Sequence, residues 1–134
     1  MVPLKPDSLV PACVLKHCLV VDDSAVIRKV ARRILETLSF RVSEAEDGRQ
    51  AILVCQGGMP DAVFLDGAMP NMDRYEFLKE LRRMPGGGPK VVFCTAENEV
   101  APIARAMRAG ADDSILKPFD PESVASKFQD LGFI

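Results

Sequence analysis

Apolar residues fall in five short, nearly unbroken runs along the chain: His17–Val21, Phe40–Glu44, Ala62–Leu65, Val91–Cys94 and Ser114–Leu116. Each is rich in Val, Ile, Leu, Phe or Cys and is closed by polar or turn residues. Runs of this kind predict strands covered on both faces, as in a parallel sheet. Between them the apolar positions recur at helical spacing. Val26, Val30, Ile34 and Leu38 make one face of a first helix, with Ile27 and Leu35 beside it and Ser24 or Asp23 as the cap. Ala51, Val54 and Cys55 mark a second helix. Tyr75, Leu78 and Leu81 mark a third, flanked by Phe77 and Met84. Val100, Ile103, Ala104 and Met107 mark a fourth, with Pro102 in its first turn, where a missing N–H is tolerated, and Gly110 at its end. Val124, Phe128 and Leu131 mark a fifth, with Asp120 as cap and Pro121 near its start. Strand and helix alternate five times, which predicts an α/β fold: an open parallel sheet with crossover helices on both faces.

Residues 1–15 are Pro-rich and irregular and read as an N-terminal extension to a domain spanning 16–134. The Gly-Gly-Gly-Pro stretch at 86–89 is a loop, too short for a domain linker. The chain stops just after the fifth helix, so no output domain is expected. A length of 134 residues, 48% of them hydrophobic, suffices for one domain with a real core. Seventeen basic residues against 19 acidic ones give a net charge of −2, which argues against a nucleic-acid or membrane-surface binder. No apolar run is long enough to span a membrane. The start of the chain, with three prolines and Asp7, does not read as a secretory signal. Cys13, Cys18, Cys55 and Cys94 are scattered, and His17 alone completes no zinc set, so the cysteines read as thiols in a cytoplasmic protein.

Ligands of such sheets bind beyond the carboxyl ends of the strands. The first strand ends in Asp22 and Asp23, the third in Asp66 and the fourth in Thr95, and Lys117 follows the fifth. Glu44, at the end of the second, reads as solvated. Three converging carboxylates repel one another unless a cation neutralises them. An all-oxygen site with room for water suits Mg²⁺. Three negative charges against Mg²⁺ and Lys117 sum to zero, which leaves Asp66 placed as a nucleophile toward phosphorus. Thr95 can donate its hydroxyl to a phosphoryl oxygen, and Lys117 can pair with another.

The stretches LVVDDS (19–24), VFLDGAMPNMDRYEFL (63–78), VVFCTAEN (91–98) and GADDSILKPF (110–119) resemble those of two-component response regulator receiver domains, of the stand-alone CheY-like kind. The resemblance covers residues 16–131. It implies a flavodoxin-like (βα)5 doubly wound sheet in strand order 2-1-3-4-5, with Asp66 as phosphoacceptor. It further implies that Asp22, Asp23, Asp66 and the backbone carbonyl of Ala68 hold Mg²⁺. Thr95 would be the switch hydroxyl and Lys117 the phosphate-pairing lysine, with Lys117–Pro118 a cis peptide bond. The function implied is acceptance of a phosphoryl group from a histidine kinase or phosphotransfer protein, read out by an unknown downstream protein. The chain would turn over no independent substrate and would bind neither nucleic acid nor membrane directly.

Three positions depart from the family pattern. Ser114 stands where an aromatic switch residue is usual, which puts the coupling of Thr95 to a swinging ring in question. Arg74 stands where Gly is favoured after Met-x-Asp. A positive φ there would strain Arg by about 1 kcal/mol; otherwise the loop bends differently or Arg74 reaches a partner. Gly67 and Ala68 leave the acceptor more open than bulkier residues would. Arg28, Lys29, Arg32 and Arg33 line the first helix, either as a solvated basic face or as a docking face for the phosphodonor. Ile103, Met107 and Phe128 lie on the usual signalling face or in the core, and Phe133 and Ile134 form an exposed tip or a packed cap. Two rival readings stand beside the receiver. One is a degenerate receiver that binds partners without phosphate. The other is a phosphohydrolase of the haloacid dehalogenase kind, against which speak the early acidic pair and Ala68 in place of a general acid.

Overall fold

A computed structural model describes residues 15–65, 74–85, 88–95 and 100–134, with Val100 described in its backbone alone. The expected extension lies outside the described residues except for Leu15. The five strands are β1 (Lys16–Val21), β2 (Phe40–Ala45), β3 (Ala62–Leu65), β4 (Lys90–Thr95) and β5 (Asp113–Leu116). They alternate with α1 (Ala25–Thr37), α2 (Gly48–Gly57), α3 (Arg74–Arg83), α4 (Val100–Ala109) and α5 (Pro121–Asp130). All neighbouring strands are parallel, in the order β2-β1-β3-β4-β5. The chain leaves β1 for the β2 edge and then crosses back to β3. The topological switch point therefore lies between β1 and β3, as the flavodoxin-like expectation requires.

Alternation along the strands divides the core into two layers. Leu19, Val21, Val63, Leu65, Val91 and Phe93 pack toward α2, α3 and α4, meeting Ala51, Cys55, Phe77, Leu78, Leu81 and Ala106. Cys18, Val20, Ala62, Phe64, Val92 and Cys94 point the other way, toward Ala31, Ile34 and Leu35 of α1 and Val124 and Phe128 of α5. The runs look continuous in sequence because both faces are covered.

Two helices present faces other than those expected. On α1, Val26 is 71% exposed and Val30 is 44% exposed, while Ala31, Ile34 and Leu35 are buried. Four-residue steps advance about 40° around a helix, so the row from Val26 to Leu38 winds off the core face. On α4 the buried contact is Ala106; Ile103 and Ala104 are half-buried and Met107 is exposed. The small side chain of Ala106 lets α4 approach the sheet closely, leaving the larger residues at its rim.

Phe128 is fully buried, and Phe133 packs on both Phe40 and Phe128, with ring centroids 5.5 and 5.8 Å away. Phe133 is therefore a packed cap, whereas Ile134 is exposed. At the opposite end of the sheet from the strand termini of interest, Arg82 of α3 ties several segments together. Its Nε and Nη2 donate to the Gly110 carbonyl at 3.0 and 2.6 Å. Its Nη1 donates to the Pro89 carbonyl at 2.8 Å, and Nη2 also meets Asp112 at 3.0 Å.

Candidate functional site

Backbone pairing sets the frame of the carboxyl edge. Val21 is in register with Ala45 on one side and Leu65 on the other, and Thr95 with Leu116. Asp22 follows β1 directly and is 1% exposed. Its N–H donates to the Ala45 carbonyl at 3.1 Å, and its Oδ1 accepts from the Ser24 N–H at 2.8 Å. Asp23 is exposed. Ser24, not Asp23, caps α1, its Oγ accepting from the Ile27 N–H at 3.3 Å. A tight β1–α1 turn thus delivers one buried and one exposed carboxylate to the switch point.

Thr95 ends β4 and is 3% exposed, and its carbonyl accepts from the Lys117 N–H at 2.8 Å. Lys117 follows β5, and the Lys117–Pro118 peptide bond is cis. A groove of about 450 Å³ opens beside them, with Thr95, Ser114, Lys117 and Ile103 in its walls. Ser114 is half-buried there, in register with Phe93. Asp66, Gly67 and Ala68 lie outside the described residues. Among the described residues no three His, Cys, Asp or Glu side chains gather to hold a metal ion. Asp22 and Asp23 offer hard oxygen donors of the kind that Mg²⁺ takes.

One expectation about charge needs correction. Glu44 is not solvated: its side chain is 12% exposed and takes Arg28 at 3.2 Å, Lys29 at 2.9 Å and Arg32 at 2.7 Å. Burial alone would raise its pKa, but the hydrogen bonds from Lys29, Arg32 and Arg28 outweigh that and bring it down to about 2. The basic face of α1 is therefore largely an ion-pair network, and only Arg33 of the four stays outside it as an exposed side chain. No periodicity announces this network, because Glu44 sits on a strand and its partners on a helix.

Arg74 carries no left-handed strain. It opens α3 as a helical residue, and Ser39, at φ 68°, is the single non-glycine residue with positive φ among the described residues. The Arg74 guanidinium lies over the Phe93 ring, 4.7 Å from its centroid, and Arg105 of α4 lies 4.1 Å from the centroid of Tyr75. Cys18, Cys55 and Cys94 are buried; burial raises the pKa of Cys18 and pushes Cys55 up to about 11. His17 is buried as well, its Nε2 2.7 Å from the Ser43 Oγ.

Residues 18–129 match the family model of the response regulator receiver domain. The chain belongs to the response regulator receiver family. This receiver is 34% identical over 110 residues to the chemotaxis protein CheY of Thermotoga maritima, a match covering 81% of this chain and 91% of that one. It is also 34% identical over 111 residues to the Guillardia theta protein named "Probable transcriptional regulator ycf27", covering 83% of this chain and 43% of that one. The receiver thus spans less than half the length of that relative. Among solved structures it is similar to the receiver domain of sensor histidine kinase PA1611 from Pseudomonas aeruginosa PAO1, described with a magnesium ion coordinated in its active-site cleft. The TM-score is 0.80 at 26% identity, covering 87% of this chain and 97% of that one. Family membership places the receiver in two-component signalling and decides against the haloacid dehalogenase reading. No helix among the described residues is long and apolar enough to cross a membrane.

Proposed function

We propose that the protein accepts a phosphoryl group on Asp66 from a histidine kinase or phosphotransfer protein in the cytoplasm and signals through altered binding to a downstream protein. The observation that carries this reading is the turn at the end of β1. It presents Asp22 and Asp23 beside β3, whose last residue, Leu65, immediately precedes Asp66 in the sequence. Asp22, Asp23, Asp66 and the Ala68 carbonyl would hold Mg²⁺, which would supply positive charge against the negative charge of the incoming phosphoryl group. The Asp66 carboxylate attacks phosphorus, a P–O bond forms, and the phosphorus–nitrogen bond to the donor imidazole breaks. The Thr95 hydroxyl donates to one phosphoryl oxygen and Lys117 pairs with another. The groove at Ser114 leaves Thr95 without a ring to trade places with, so the signal leaves by another route than a swinging aromatic. Exposed Val26 and Val30, next to Arg33, support docking of the phosphodonor on α1.

Incubation with acetyl phosphate and Mg²⁺ tests the proposal. Intact-mass analysis is expected to show one added phosphoryl group that needs Mg²⁺ and is lost in Asp66→Asn. Beryllofluoride is expected to bind the wild type only. Indifference to both reagents would point instead to a receiver that binds partners without phosphate.

A further inference from the structure

We infer that Arg28 is a positioning residue for the Asp22–Asp23 turn, gripping the Asp22 carbonyl with one arm of its guanidinium and Glu44 with the other. The inference rests on reading that turn as the Mg²⁺-holding edge. Nη1 of Arg28 donates to the Asp22 carbonyl oxygen at 2.7 Å, and Nε reaches Glu44 Oε1 at 3.2 Å. The Asp22 N–H is already tied to the Ala45 carbonyl of β2. Asp22 is thus held on both sides of its backbone, by the sheet through its N–H and by α1 through its carbonyl. The same carbonyl belongs to the peptide plane that leads into Asp23. Moving that plane would break a charge-assisted bond, so the grip fixes the backbone that leads into Asp23.

Glu44 makes the grip rigid. Lys29 and Arg32 both bind its Oε2, which leaves Oε1 turned to Arg28. The Arg28 and Glu44 side chains are only 15% and 12% exposed, so solvent screens their pairing weakly. A lysine at position 28 carries the same charge but lacks the planar fork that binds both acceptors at once.

Arg28→Lys therefore separates position from charge. Calorimetric titration of the unphosphorylated protein with Mg²⁺ is expected to give binding about tenfold weaker than wild type, the scale on which residues behind metal ligands act. Without metal, the Ser24 amide, which donates to Asp22 Oδ1, is expected to exchange with deuterium about tenfold faster, while amides of β4 are unchanged. Glu44→Gln is expected to speed Ser24 exchange in the same direction. Unchanged Mg²⁺ affinity with unchanged Ser24 exchange would overturn the inference, as would equal acceleration throughout the sheet, the mark of a general loss of stability. If the wild type binds no Mg²⁺, the metal reading fails by itself, and Ser24 exchange alone decides the role of Arg28.

Discussion

Gly110 occupies φ +127°, and a Cβ built there would stand 2.8 Å from Arg82 Cγ and 2.9 Å from Arg82 Nε. Both the backbone angle and the occupied space exclude a side chain, and the displaced arm of Arg82 would lose its hold on the Gly110 carbonyl. Gly110→Ala is expected to destabilise the protein by about 2–3 kcal/mol, read as a lowered urea midpoint at an unchanged slope. The sequence identifies Gly110 as a helix end, since glycine after an apolar helical pattern is a stop signal. It does not reveal the dependence on Arg82, which lies 28 residues away. Arg74 shows the reverse case. Its departure from the family pattern raised the prospect of strain, yet as the opening residue of α3 it has ordinary helical backbone and spends its charge on the Phe93 ring.

Helix existence was legible throughout, and helix faces less so. Strands repeat every two residues without drift, so alternate residues of each apolar run share a layer. Helical rows drift, and on α1 the eye follows Val26–Val30–Ile34–Leu38 past the true contact stripe through Ala31, which looks too small to matter. Caps depend on local geometry and are correspondingly mixed. Ser24 and Asp120 were visible as starts, and Asp120 forms a reciprocal box with Ser123. Asp47 is a further cap, outside those expected: its Oδ1 accepts from the Gln50 N–H at 2.8 Å at the start of α2, and it is 5% exposed. Asp47→Ala removes that acceptor from the first turn. A loss of about 1–2 kcal/mol is expected in chemical denaturation, with α2 amides showing the largest increase in exchange.

For the molecule as a whole, strand order and the polar residues at strand ends could be read in advance because an open parallel sheet collects its strand termini on one edge. The Glu44 network could not, because it depends on which helix crosses over which strand. That network ties folding to pH. Glu44 titrates near 4.5 when unpaired and at about 2 in the fold. A depressed carboxylate pKa contributes stability that is full above the unfolded value and is lost as pH falls through the folded one. Urea denaturation of wild type and Glu44→Gln is expected to differ by about 1 kcal/mol at pH 7, discounted for the exposed partner Lys29. The gap should hold down to about pH 4.5 and close by about pH 2. Arg82, finally, bolts the last turn of α3 to the segments leading into β4 and β5. The first turn of the same helix begins eight residues after Asp66. Held by Arg82 at its last turn and by Arg74 over the Phe93 ring at its first, α3 is clasped at both ends, and the Arg105 guanidinium on the Tyr75 ring joins it to α4.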